Sequence, residues 1–522
     1  MEDQKKDKVE QQQKLFHERV LPNLKDNIKN GNSLIETDIL EQQELTIGEI
    51  KKIKPFDWEK EYPEVFEQGG FDVVIGNPPY IRIQEFNEII SEYYKNRYND
   101  VIQGNYDTYI LFIKIGLNLL NQKGKFGNIL PNKFFTANYG KKIRKILSKK
   151  SAVDKIINFK TNQIFETATT YTCLLFLSNE SNKKFSYVSY NLGDNFRKLD
   201  KNIDKYDKKI LEEDTWKIND KNTQKILDII SSKEWKFENI TEKIFKGSST
   251  GNDKFYLMDI NSEDEKYYYG NSKLKTNIKI EKEIMKPFVN GKDIKQYEKP
   301  NIKLYLLYPY KKTSNQTIEL ISKKELKTDY PKAFEYIEEF KQELKKRKIS
   351  LNNNDYYKFS AARNLAYYPN KKIMIPDLLV KNRIGLDFTS KIYHGPSIHS
   401  VIFKEEINEK YMITILGILN SHLFWFFIKN TSTAMQGNAY RLTPMYLNEF
   451  YFPNLKKFSV DDMNKEINKI IELNKTYKTC NTPTERKLIQ QQITTTDKKI
   501  NEIVYELYDL TEEEIKIIEE NI

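Results

Sequence analysis

Cysteine is nearly absent from this chain: its 522 residues include only Cys173 and Cys480, far apart, and four histidines. No disulfide framework and no zinc site of paired-ligand spacing can be built from so few groups, and a reducing cytoplasm is the natural compartment. Long hydrophobic runs are missing too. No stretch offers the roughly 20 apolar residues of a membrane span, and no secretory apolar core is present. The most apolar segment, residues 415–428, is interrupted by Asn420, Ser421 and His422 and reads as a buried helix. No internal repeat is apparent, which sets solenoids and propellers aside.

What is present is a large, ordinary globular composition, 39% hydrophobic and 30% charged, with length enough for two or three cores. The formal net charge of +11 agrees with a polyanionic partner. The same lysine, asparagine and isoleucine bias follows from an AT-rich genome, so charge alone does not establish nucleic-acid binding.

Residues 1–30 read as a polar helix, followed by the turn Gly31-Asn32-Ser33-Leu34. A short apolar strand begins at Phe71. Residues 107–120 carry helical spacing that stops at Lys123-Gly124, and residues 126–130 form a second buried strand. A basic helix over 139–150 and strands over 153–159 and 171–177 complete a doubly wound α/β pattern. The expected domains are a catalytic region at 31–190, a polar connection at 191–235, an α+β region at 236–455 and a helical segment at 456–522.

The most informative residues are Asn77-Pro78-Pro79-Tyr80, directly after the strand Phe71-Asp72-Val73-Val74-Ile75-Gly76. Loops at the C-terminal ends of strands in open α/β sheets are where ligands bind. The Asn77 amide oxygen and the Pro78 carbonyl are hydrogen-bond acceptors, proline has no N–H to compete, and Tyr80 adds a ring for stacking. The set suits a planar ring that carries an amino group.

The segment FDVVIGNPPY resembles the catalytic motif of TaqI-like adenine-specific DNA methyltransferases of type II/IIG restriction-modification systems. The likeness extends over 31–185 for the catalytic half and from about 215 onward for the target-recognition half. It implies a fold of the α/β class: an incomplete Rossmann-like methyltransferase sheet, then an α+β target-recognition domain and C-terminal helices. It also implies that Asn77 and Pro78 accept from the amine of a flipped adenine in duplex DNA and that Tyr80 stacks on its ring. Phe165, with Tyr171 as competitor, matches the second stacking position. Asn32 and Ser33 lie where the family meets the adenine of S-adenosyl-L-methionine, the methyl donor.

One departure from the family stands out. The glycine-rich loop expected upstream of Gly31 is missing, so the resemblance implies a partner polypeptide supplying the N-terminal methyltransferase or nuclease part, without which the chain is expected to be inactive. Residues 286–294, 411–420 and 503–511 resemble scaffold signatures of the recognition half. Asn252, Lys254, Arg363, Arg383, Gln436 and Arg441 are base-reading candidates by residue type only. The alternative expectation is a non-catalytic DNA-recognition fragment or subunit of a split enzyme. A third is an RNA or protein methyltransferase using the same loop.

Overall fold

The computed structural model describes residues 27–165, 170–180, 182–190, 203–347, 355–435 and 437–522. Most of the expected N-terminal helix, part of the expected connection (191–202) and Gln436 lie outside the described residues. The chain divides into two compact units, Met1–Asp220 and Lys221–Ile522.

The first unit is built on six strands: β1 (Phe71–Gly76), β2 (Leu120–Pro131), β3 (Val153–Asn158), β4 (Thr172–Ser178), β5 (Lys184–Ser189) and β6 (Asp204–Asp207). Their order across the sheet is β1-β2-β4-β3-β5-β6. β1 runs parallel to β2, β3 parallel to β5, and β4 is antiparallel to both β2 and β3. With β6 antiparallel to β5 at the far edge, the result is a mixed α/β sheet with two reversed strands, β4 and β6. Residues 203–220, read from sequence as part of the connection, supply β6 and bury Leu211, Trp216 and Ile218 in this unit's core.

Three helices matter for the site: α1 (Glu88–Arg97), α2 (Tyr109–Leu119) and α3 (Lys141–Lys149). The apolar residues of α2 point inward on successive turns, and Ile110, Leu111, Ile113 and Leu117 are all buried. Each such burial contributes about 1.5–3 kcal/mol. Helix α2 lies close on β2 because residue 116 is glycine: a Cβ there would sit 2.3 Å from the Phe126 ring. The structure corrects the expected helix stop at Lys123-Gly124. Strand β2 begins at Leu120, directly after the helix, and Gly124 lies inside it. A Cβ at Gly124 would stand 2.8 Å from the Phe71 carbonyl oxygen, so this glycine serves a close strand approach where the register shifts between Phe71 and Val73.

β1 is the outermost strand of its sheet. Val74 packs toward the helices, whereas its neighbours on the opposite face, Val73 and Ile75, are 55% and 81% exposed. A strand buried on both faces would not show this pattern.

The second unit contains two larger sheets. One joins β8 (Leu257–Glu263), β9 (Tyr267–Ser272), β10 (Ile278–Glu281), β11 (Met285–Val289), β12 (Leu304–Leu307) and β15 (Tyr393–His394). The other joins β7 (Thr241–Lys246), β13 (Lys372–Pro376), β14 (Gly385–Asp387) and β16 (Ile398–Phe403). The Lys372–Asp387 ion pair, 2.7 Å and fully buried, links β13 to β14. The remaining donors of Lys372 go to the Tyr368 and Asn370 carbonyls. Asp387 also accepts from the backbone N–H groups of Thr389, Ser390 and Ile392.

Helices α4 (Lys221–Ser231), α5 (Glu409–Asn420), α6 (His422–Thr431), α7 (Asp461–Thr479), α8 (Pro483–Leu507) and α9 (Glu512–Glu520) contribute to one shared apolar core. The apolar stretch at 415–428 is two helices bent by 60°. The Ser421 hydroxyl caps the second by accepting from the Phe424 N–H. No single helix among the described residues is long and apolar enough to cross a membrane.

Candidate active site

The backbone leaves β1 at Gly76 and enters Asn77-Pro78-Pro79-Tyr80, a segment outside any helix or strand. Prolines at 78 and 79 fix φ and remove two donors, which suits a segment that offers acceptors. Asn77 and Pro79 are exposed, Pro78 is buried and Tyr80 is half-buried. The Tyr80 hydroxyl lies 3.1 Å from Asn77 Oδ1 and 3.0 Å from the Ile129 carbonyl, with one proton to share between them. Its ring stands edge-on to Tyr109, 6.1 Å between centroids. Burial, with the Cys173 side chain nearby, pushes the Tyr80 hydroxyl up to about 12. The group therefore stays a protonated donor at neutral pH. Asn77 Oδ1 has two lone pairs, so one acceptor position remains for an incoming N–H.

Two residues that composition and motif reading missed hold the loop from below. The buried Thr108 hydroxyl donates to the Pro79 carbonyl at 2.9 Å, and the Thr108 N–H donates to the Ile81 carbonyl at 2.8 Å. Asp107 pairs with Arg82 in an isolated bridge. Burial raises the Asp107 carboxyl above its ordinary range, and Lys133 and Arg82 partly oppose that shift. The sequence signal was the polar Asp107-Thr108 step at the head of an apolar helix, a capping position. At the end of β2, the Asn132 N–H donates to the Tyr171 carbonyl, and the Asn132 side chain bonds Asn158 Oδ1 and the Lys160 carbonyl.

The other residues singled out from sequence stand as follows. Phe165 is half-exposed and its carbonyl accepts from Gln163 Nε2 at 2.9 Å; Glu166 next to it lies outside the described residues. Tyr171 is buried, 7% exposed. Asn32 sits in a tight turn: its N–H donates to the Lys54 carbonyl at 2.7 Å, its Oδ1 accepts from the Leu34 N–H, and its side chain bonds the Tyr94 hydroxyl. The Ser33 carbonyl accepts from Trp58 Nε1 at 3.2 Å. The turn is tied to the helix after the Asn77–Tyr80 loop, since the Tyr98 hydroxyl donates to the Leu34 carbonyl and that of Tyr93 to Asp38.

Of the base-reading candidates, Arg383 is committed to structure, donating to the Gly291 and Ile294 carbonyls. Asn252 accepts from the Phe255 N–H and caps a short helix. Lys254 lines a cleft of about 870 Å³ together with Lys273, Lys292 and Asp377. Arg363 and Arg441 are exposed.

Residues 6–165 match the Eco57I restriction-modification methylase family. Type II methyltransferases are among the chain's homologues. It is 33% identical over 368 residues to the type II restriction enzyme and methyltransferase RM.Eco57I of Escherichia coli, an alignment covering 66% of this chain and 35% of that protein. It is 24% identical over 491 residues to the type II methyltransferase M.BstVI of Geobacillus stearothermophilus, covering 89% and 77%. It is also similar to the type II methyltransferase M.AccI of Acinetobacter calcoaceticus, 22% identical over 422 residues, covering 78% and 69%. The chain thus spans about a third of the length of RM.Eco57I. Among solved structures, the type IIL restriction-modification enzyme MmeI in complex with DNA shares the fold, with a TM-score of 0.51 at 12% identity, covering 88% of this chain and 58% of that one.

Proposed function

We propose that the chain is the catalytic and recognition part of a restriction-modification DNA methyltransferase that modifies the exocyclic amine of an adenine flipped out of duplex DNA. The observation that carries this reading is the loop at the end of β1. There an exposed amide oxygen, Asn77 Oδ1, is held by Tyr80 on a segment whose own donors are removed by two prolines. An aromatic amine is a weak nucleophile because its lone pair delocalises into the ring. An acceptor fixed on one N–H favours the pyramidal form that can react, and it does so most in the transition state. Pro78 supplies a second acceptor through its carbonyl, and Tyr80 presents ring surface to the base. The alternative, a DNA-recognition subunit without catalysis, is not favoured by homologues that are themselves methyltransferases.

S-adenosyl-L-methionine, when bound, supplies an electrophilic methyl group. We assign the turn at 31–34 to one flank of such a ligand. Since the Asn32 amide oxygen is engaged by the Leu34 N–H, the Ser33 hydroxyl and the turn backbone are the groups we assign to the purine, with Asn32 shaping them. We assign the second stacking surface to Phe165. Duplex DNA is the partner of the second unit, and the bare face of β1 is assigned to an N-terminal methyltransferase or nuclease polypeptide.

The test is incubation of the chain, with and without the relative's N-terminal region added as a separate polypeptide, with labelled S-adenosyl-L-methionine and duplex DNA. Digestion to nucleosides should show label in N6-methyladenine. Label confined to cytosine, or none with the added polypeptide present, would overturn the assignment.

A further inference from the structure

The helical hairpin formed by α7 and α8 carries a long stretch with little burial. In α7 no residue after Ile470 is buried, and in α8 none from 483 to 495 is buried; burial begins at Thr496. Of these thirteen residues of α8 only Ile493 packs against the core, while α7 is tied to the body through Asn474 on the Tyr297 carbonyl and Lys478 on Glu298. The tip is built firmly all the same. Thr482 and Glu485 form a capping box, Pro483 occupies the first helical position, and Arg486 Nε donates to the Cys480 carbonyl at 3.2 Å.

The outer surface of this arm has an unusual composition. From Arg486 to Thr496 there is no acidic residue. Lys487, Gln490, Gln491, Thr494 and Thr495 follow one another at helical spacing and, with Tyr477 of α7, line an open groove of about 680 Å³. A helix face that docks on protein needs apolar anchors at these positions, and this row has none; the exposed Leu488 lies outside it. Apart from Leu488, Ile489 and Ile493, residues 483–496 of α8 carry no large apolar side chain, so the exposed row gains little from packing. Its side chains are, however, the types that meet nucleic acid: an amine for phosphate or guanine, amides that can bond adenine twice, and threonine methyl and hydroxyl groups.

We propose that this row of α8 is a contact surface for duplex DNA, with α8 entering the major groove and α7 bracing it from behind. The proposal deepens the reading of the second unit as a DNA-binding module and rests on it.

The full chain allows a direct test because its two cysteines differ: Cys173 is fully buried, whereas Cys480 is partly exposed at the arm's tip. A thiol-reactive, environment-sensitive fluorophore on Cys480 should respond when a randomised duplex DNA pool is added at low salt. The variant Lys487→Ala/Gln490→Ala/Gln491→Ala/Thr494→Ala keeps strong helix formers in place, and its melting curve should match the unmodified chain. It should bind duplex about tenfold more weakly, with a salt slope shallower by about 1 for the lost lysine. Lys487→Ala alone should reproduce the change in slope. If the unmodified chain binds duplex and the fourfold variant binds as tightly with the same slope, the arm proposal is overturned and the DNA-binding reading stands. If the unmodified chain retains no duplex even at low salt, the underlying reading fails and the arm proposal with it.

Discussion

Tyr80 gives the sharpest test of the loop, because stacking and hydrogen bonding can be separated there. Tyr80→Phe keeps the ring and deletes only the hydroxyl that lies between Asn77 Oδ1 and the Ile129 carbonyl at 3.1 and 3.0 Å. A net hydrogen bond is worth about 0.5–1.5 kcal/mol, and an orphaned buried carbonyl loses somewhat more. A loss of about 1–2 kcal/mol in the stability of the first unit is therefore expected. Free rotation of Asn77 would affect an interaction made mainly in the transition state. By the tenfold-per-1.4 kcal/mol rule, kcat should then fall by about 2- to 10-fold with KM little changed. Tyr80→Ala removes the ring as well, and base stacking is worth about 1–3 kcal/mol. Flipping, followed by the fluorescence of 2-aminopurine placed at the target, should weaken accordingly in the alanine variant and stay intact in the phenylalanine one. Wild-type kcat in Tyr80→Phe would refute the idea that the hydroxyl sets Asn77. Undiminished flipping in Tyr80→Ala would refute the stacking role.

Asn77→Ala should abolish methyl transfer while leaving duplex binding within about twofold, since the side chain is exposed and, on the proposed reading, acts on the reacting amine; near-normal methylation would sink the catalytic assignment. Asp107 has a carboxyl raised by burial, so its neutral form favours the fold. Stability from this group is full below the unfolded carboxyl's ordinary value and is lost as pH rises through the higher folded value. Asp107→Asn should accordingly melt higher at neutral pH and converge with the wild type in acid, and a lower melting point at pH 7 would contradict this. Lys372→Met strands the buried Asp387 carboxylate and should cost about 3–5 kcal/mol in denaturant unfolding of the second unit; a change under 1 kcal/mol would show that the pair is dispensable. A calorimetric titration of the chain with S-adenosyl-L-methionine should give weak or no binding, because the face of β1 that carries Val73 and Ile75 is bare. Tight binding would show that the 31–34 turn suffices.

Much of the first unit was legible because its strands are short apolar runs and the Asn77–Tyr80 segment follows one of them directly. Helix α3 and the ends of β3 and β4 also fall where the sequence pattern puts them, to within a residue or two. Three features were not legible. Gly124 reads locally as a helix stop, yet it serves a contact between β1 and β2 that only the folded sheet creates. Residues 203–220 are polar enough to look like a linker, but three scattered apolar side chains, Leu211, Trp216 and Ile218, suffice to pin them to the core. Thr108 is a common residue in an unremarkable position, and its bond to the Pro79 carbonyl spans 29 residues of sequence.

The loop's supports explain why its acceptor geometry survives at the margin of a sheet. β1 has a strand neighbour on one side only, and an edge strand is ordinarily the least constrained in a sheet. Here the constraint comes from side chains and from the short backbone bridge that joins residues 81–83 to 106–108. Thr108 holds the loop backbone through Pro79, and Tyr80 reaches across to β2 through Ile129 while touching Asn77 on the way. All of these anchors lie toward β2 and α2, so the amine-binding side of the loop is set without help from beyond β1. The opposite side, where Val73 and Ile75 stand bare, carries no comparable anchor among the described residues. On the proposed reading, acceptor placement and methyl-donor binding are therefore separable. Substitutions at Thr108 or Tyr80 should damage catalysis without altering donor affinity, and substitutions at Val73 or Ile75 should do the reverse.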